Sequence, residues 1–218
     1  MEIIRLPTDH ATNIFKEAAR IHTENGDPRL VLPLLGQKFL TRLFFELNRA
    51  PFTGIWGAID GNSLRGFIVG AANFQNSYIH ILKKAAFPLA WYALPSLFKP
   101  RLLQDAFGIL TYPFSKHDKQ QRGDQQLLPT PRAEFLALTV DKTANGFIAA
   151  RLLVKAMEDG FRSWGLSGYY YGSVFQDNVN ANAFMKGIGF IPCGQITLHR
   201  SCVQYYRKNL QAQLEGLS

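Results

Sequence analysis

Cysteine is scarce in this chain, with Cys193 and Cys202 the two present in 218 residues. Two cysteines build no disulfide framework, and their spacing matches neither a CxxC motif nor a zinc site. They read as cytosolic thiols, neighbours on a late hairpin. The five histidines (His10, His22, His80, His117, His199) lack metal-ligand spacing, so no metal is expected. No Ser-His or Cys-His pair is apparent for a covalent mechanism. The apolar stretch Ala85–Phe98 is too short to span a bilayer and contains Pro88 and Pro95. Residues 1–7 lack the basic start and apolar run of a signal peptide, which leads us to expect a cytoplasmic protein. Acids are few as well: 16 against 24 Lys and Arg, giving a net charge of +8. Between Ser77 and Arg132 stand eight basic residues and three acids, which is +5 of that excess. No base-reading helix or RNP-type motif accompanies them, so nucleic acid is not an expected partner.

What is present reads as a globular protein. The chain is 47% hydrophobic and 18% charged, and its length suits one domain over 1–218. Residues 2–6 alternate as a short strand. Thr8 and Asp9 suggest an N-cap and acidic first turn for a helix to about Asn25. After Gly26-Asp27-Pro28 a second helix is expected from Pro33 to Arg49, with a broad apolar face. Phe52–Ile59 and Arg65–Asn73 read as strands joined at Asp60-Gly61-Asn62, and Asp-Gly favours a type I′ hairpin. Residues 78–127 interrupt the pattern with an apolar helix-like part and a Gln-rich loop. Glu134–Val140 then reads as a buried strand, Gly146–Trp164 as a helix and Tyr169–Phe175 as a strand. A helix near Asn178–Gly187 and two strands, about 191–199 and 202–208, close the chain. In the long helix Ile148, Leu152, Leu153, Met157, Phe161 and Trp164 form the apolar face, opposite Lys155, Glu158, Asp159 and Arg162. Strand–helix–strand–helix after an antiparallel start argues for a mixed α/β fold, its sheet covered by helices on both faces.

The informative unit is the turn Ala144-Asn145-Gly146-Phe147 between a strand and a helix. It sets unpaired N–H groups and the positive end of the helix dipole where an anion such as pyrophosphate can sit. Two patterns surround it. One runs Leu138-Thr139-Val140, then Ala144-Asn145-Gly146-Phe147-Ile148-Ala149, then Ala150-Arg151-Leu152-Leu153. The other is Asn178, Ala181, Met185, Gly189 and Phe190 in Asn-x-x-Ala-x-x-x-(Tyr)-x-x-x-Gly-Phe spacing. Residues 133–190 thereby resemble the core of the GNAT N-acetyltransferase family. The resemblance implies a central mixed, mostly antiparallel sheet, with a helical insertion between strands 3 and 4. It implies acetyl-CoA as co-substrate and a small-molecule primary amine, such as an amino sugar or sugar nucleotide, as acceptor.

Carried onto this sequence, the resemblance assigns the cofactor to Leu138, Thr139, Val140, Asn145, Gly146, Phe147, Ile148 and Ala149. Asn178, Ala181 and Phe184 would touch its arm. His22 and Glu24, at the end of the first helix, and Tyr170 would border the acceptor. The sequence departs from the family in three places. Phe147 and Ala149 stand where loop glycines are usual, and Ala144 where Gln or Arg is usual. Met185 replaces the Tyr that often protonates the thiolate, and Met cannot donate a proton; Tyr171, Tyr170 or water is the alternative acid, unless none is needed. Glu134 stands six residues before Val140, where the resemblance implies the glutamate that deprotonates the amine, and strand alternation sets it on one face with Leu136, Leu138 and Val140. A carboxylate among apolar neighbours is costly unless bonded or functional; a surface pairing with Arg132 is the plain alternative. A non-catalytic binding protein, a membrane-surface acyltransferase with a longer acyl donor, and a homodimer stay open.

Overall fold

Why the central strands lie in one sheet follows from their composition. Ile55, Phe67, Ile68 and Val69 are apolar and fully or almost fully buried, so β2 and β3 need cover on both faces. The computed structural model describes residues 1–9, 12–27, 29–96, 133–142, 146–198 and 201–211. Among them are seven strands: β1 (Glu2–Arg5), β2 (Thr53–Asp60), β3 (Ser63–Ala71), β4 (Ala133–Val140), β5 (Tyr169–Phe175), β6 (Ile191–Leu198) and β7 (Ser201–Asn209). They form one sheet in the order β1-β2-β3-β4-β5-β7-β6. Every pairing is antiparallel except β4 with β5, which is parallel.

Helices α1 (Thr12–Asn25), α2 (Gln37–Arg49) and α3 (Phe74–Ala93) cover one face. Their core holds Phe15, Ile21, Leu40, Phe44 and Phe67. Helices α4 (Gly146–Ser163) and α5 (Val179–Gly187) cover the other. There Leu153, Met157 and Phe161 of α4 are wholly buried against Trp56 and Ile68. Each such side chain contributes roughly 1.5–3 kcal/mol of burial.

The structure revises several local expectations. α1 begins at Thr12, and Thr8 and Asp9 lie in a bend before it. The second helix is split: Leu32–Leu35 form a 3-10 turn, Gly36 adopts φ 93°, and α2 starts at Gln37. A left-handed residue ends one helical segment and redirects the chain into the next. The β2–β3 turn has positive φ at Gly61 (59°) but not at Asn62, the pattern of a type II′ turn rather than I′. The stretch after β3 is helical from Phe74, with Asn73 capping the helix by accepting from the Asn76 N–H. α3 carries Pro88 inside it and buries Ile81, Ala85 and Leu89, while Phe87 and Trp91 face outward. Residues 97–127 of the expected insertion lie outside the described residues.

On α4 the apolar face is displaced from the one read in the sequence. Ile148 and Leu152 are exposed, whereas Glu158, expected on the polar side, is 2% exposed. Its carboxylate accepts from Lys208 Nζ at 2.7 Å and from the Tyr170 hydroxyl at 2.5 Å, so the charge is buried with partners. Among the described residues no helix is long and apolar enough to cross a membrane.

Candidate functional site

The sheet forks between β4 and β5. Their ladder holds two Cα pairs, Ala133↔Tyr170 and Glu134↔Tyr171, after which the strands separate. β4 continues against β3 to Val140, and β5 continues against β7 to Phe175. The facing edges of residues 135–140 and 172–175 therefore make no ladder with each other. Backbone N–H and C=O groups on such edges need other partners.

A β-bulge shapes the first edge. The β3–β4 register runs Val69↔Ala137 and then Gly70↔Phe135, which leaves Leu136 as the extra residue. The bulge breaks the two-residue period that was expected to align Glu134, Leu136, Leu138 and Val140. Leu136 and Ala137 both pack with the α1–α3 core, whereas Phe135, Leu138 and Val140 pack with the α4 core. Thr139 follows Ala137 onto the α1 side, where its hydroxyl lies 2.9 Å from His22 Nδ1. His22 is buried edge-on to the rings of Phe44 and Phe67. Burial pushes its pKa down to about 4, so the imidazole is neutral at pH 7.

Glu134 sits where the fork closes, 7% exposed. The pairings place Thr53, Ala71, Glu134, Tyr171 and Arg207 in one line across β2, β3, β4, β5 and β7. Residues paired in this way project to one face. Tyr170 and Lys208, one step along, project to the other and meet at Glu158. Tyr170 is thus packed in the α4 core between Phe161 and Phe190, on the face away from Glu134. Burial and the nearby Glu158 charge push its hydroxyl far up in pKa.

At the open end, Gly146 starts α4; Asn145 lies outside the described residues. Phe147 and Ile148 are exposed and Ala149 is buried. The Phe147 ring meets Phe184 of α5 edge-on at 5.9 Å, and the Arg151 guanidinium lies 5.8 Å from the Phe147 centroid. These two rings bridge the first turn of α4 and the body of α5. Asn178 caps α5, its Oδ1 accepting from the Ala181 N–H at 3.1 Å. Met185 is buried, and its Cε lies within 2.9 Å of the point where a Cβ on Gly172 would stand. Glu24 is exposed and paired with Arg20. The structure therefore brings Glu134 and Tyr171 together at the closed end of the fork. It also brings Phe147, Phe184, Asn178 and Ala181 together at the α4–α5 end. His22 joins β4 through Thr139, and Glu24 and Tyr170 stand apart from both groups.

Arg207, paired with Tyr171 in the same transverse line as Glu134, is the residue that sequence reading missed. The alternation Val203, Tyr205, Arg207 is visible in the sequence, but only the register brings it beside Tyr171, with β5 between it and β4. No metal-binding group of three or more His, Cys, Asp or Glu occurs among the described residues.

No protein-family model and no curated protein matches this sequence. Solved structures do match. An aminoglycoside 6'-acetyltransferase type Ii is 13% identical, with TM-score 0.56 over 96% of this chain and 97% of the other. A ribosomal-protein-alanine N-acetyltransferase from Brucella melitensis is 10% identical, with TM-score 0.58 over 96% and 99%. Ard1 from Thermoplasma volcanium is 14% identical, with TM-score 0.54 over 95% and 96%. The forked sheet and these likenesses define the class: the chain has the GNAT N-acetyltransferase fold.

Proposed function

We propose that this protein is an acyl-CoA-dependent N-acyltransferase, moving an acetyl group from acetyl-CoA to the primary amine of a small molecule. The fork between β4 and β5 carries the reading. Its diverging edges offer backbone donors and acceptors that make no ladder with each other, which suits the amide-bearing arm of coenzyme A. Leu138, Thr139 and Val140 would supply that edge. The amides opening α4, with Asn145 and Gly146, would meet the diphosphate. Asn178, Ala181 and Phe184 would border the arm, and Phe147 would turn its ring from Phe184 to admit it.

Bound acetyl-CoA supplies an activated acyl group whose carbon is open to attack by a neutral amine. The chain's own residues do the rest. Glu134, held at the closed end of the fork, takes the proton from the incoming ammonium and frees the nitrogen lone pair. The bulge at Leu136 disrupts the β3 ladder there, and an N–H so released can stabilise negative charge developing on the carbonyl oxygen. As the new C–N bond forms, the C–S bond breaks; the Tyr171 hydroxyl donates a proton to the departing thiolate, and the surplus proton on the acylated nitrogen returns to the Tyr171 oxygen. The amide product carries the acyl group, and no covalent enzyme intermediate is required.

The test is thiol release from acetyl-CoA across an amine panel, with wild type and Glu134→Gln. We expect turnover to fall roughly a hundredfold or more in the variant, with acetyl-CoA binding little changed. Equal turnover in both proteins removes Glu134 from the mechanism. No amine-dependent thiol release at all favours a binding protein without catalysis.

A further inference from the structure

We propose that Arg207 is a specificity residue of the acceptor site, and that the acceptor is an amine also bearing an anionic group, a carboxylate or a phosphate. The inference rests on the transferase reading above and names the substrate class for the same site.

Arg207 stands in the transverse line that contains Glu134, with Tyr171 between them. Adjacent strands lie about 4.8 Å apart, which sets the two backbones roughly 10 Å apart with side chains on one face. A carboxylate base at one end and a guanidinium at the other therefore suit a molecule whose amine and anion are separated by a few bonds. Glu134 receives the ammonium and Arg207 the anion.

The guanidinium is available for that purpose. Among the described residues no carboxylate lies within ion-pair distance of Arg207, and its Nε is buried without a hydrogen-bond partner. Other buried or half-buried cations in the structure are neutralised: Lys208 by Glu158, Arg29 by Asp27 and Asp177, Arg162 by Asp159. Arg207 is instead held by stacking, with its Cζ 5.0 Å from the centroid of the Tyr169 ring. That contact supplies no anion to the guanidinium. A half-buried arginine in a row with a candidate base, its Nε without a hydrogen-bond partner, suits a planar or tetrahedral oxyanion, which takes two parallel hydrogen bonds. The +8 charge of the chain adds attraction for anions over longer range.

The test uses matched amines, with and without the anion: β-alanine against β-alaninamide, and glucosamine 6-phosphate against glucosamine. The two pairs distinguish carboxylate from phosphate. In the wild type the charged member of one pair should show a KM lower by roughly tenfold or more. Arg207→Met should erase that difference by raising KM for the charged member far more than for the neutral one, and Arg207→Lys should restore part of it. Equal use of charged and neutral amines by the wild type overturns the inference, and so does an equal loss for both in Arg207→Met. Acetyl-CoA binding is followed separately by thermal shift. If acetyl-CoA does not bind, the transferase reading fails, and calorimetry of the four amines on wild type and Arg207→Lys decides the anion site alone. Heats that do not distinguish charged from neutral members then refute it.

Discussion

Replacing Lys208 with Met tests how α4 is fastened to the β5–β7 part of the sheet. Lys208 Nζ lies 2.7 Å from Glu158 Oε1, and the two side chains are 8% and 2% exposed. The same oxygen accepts from the Tyr170 hydroxyl at 2.5 Å. Removing one member of a buried ion pair costs about 3–5 kcal/mol, because the other charge remains without its counterion. Arg162 Nη2, 3.9 Å from the second carboxylate oxygen, retains part of the compensation. The low end, about 3 kcal/mol, is therefore expected. In a chain of 218 residues this corresponds to a fall in Tm of roughly 6–12 °C. Glu158→Leu alone should cost a similar amount, since it strands the Lys208 charge. The double variant Glu158→Leu/Lys208→Met removes both charges and should recover to within about 1–2 kcal/mol of wild type. The remainder is the Tyr170 hydroxyl, which has lost its acceptor, and Tyr170→Phe in that background should recover it. Urea unfolding followed by far-UV circular dichroism gives each term, with equal m-values required for the comparison. A double variant as unstable as the sum of the two singles would refute the reasoning. A Lys208→Met protein within about 0.5 kcal/mol of wild type would do the same.

Two further outcomes follow from burial at the site and beneath it. His22 has its pKa lowered by burial from its ordinary 6.5 to about 4, so the folded state binds its proton less readily than the unfolded one. The stability this represents is complete above pH 6.5, is lost as pH falls toward 4, and amounts to roughly 3 kcal/mol. Urea midpoints between pH 7 and 4 should fall less steeply in His22→Gln than in wild type, and parallel curves would contradict the assignment. A Cβ on Gly160 would stand 2.2 Å from Cζ2 of the Trp56 ring, so Gly160→Ala should destabilise by about 1–3 kcal/mol through overpacking. Calorimetric melting checks it, and an unchanged Tm would mean that α4 shifts freely on β2.

Much of the fold was legible because its elements carry strong local signals. Periodicity gave α4 and α5 close to their observed bounds, and the side chain of Asn178 caps α5 as its position suggested. The order of strands after Ala133 was equally clear. What escaped depends on contacts between distant residues. The Leu136 bulge exists only in the pairing with Val69 and Gly70, so alternation along β4 assigned the wrong faces beyond it. Glu158 looked like a solvated helix residue until Lys208, 50 positions later, arrived beside it. His22 offered a polar ring at a helix end, and nothing nearby in sequence announced Thr139, 117 positions away. Of the site, Glu134 and Tyr171 could be singled out separately, but their juxtaposition comes from two rungs of a parallel ladder.

Those two rungs have a mechanical meaning. Four strands on one side and three on the other behave as separate plates joined by a short seam. α4 packs on the first plate through Met157 and Phe161 and is riveted to the second by the Glu158–Lys208 contact. Heat or denaturant should open the molecule first along that seam. Amide exchange at Glu134 and Tyr171 would then report the angle between the plates, and anything wedged into the cleft would slow it on both sides at once.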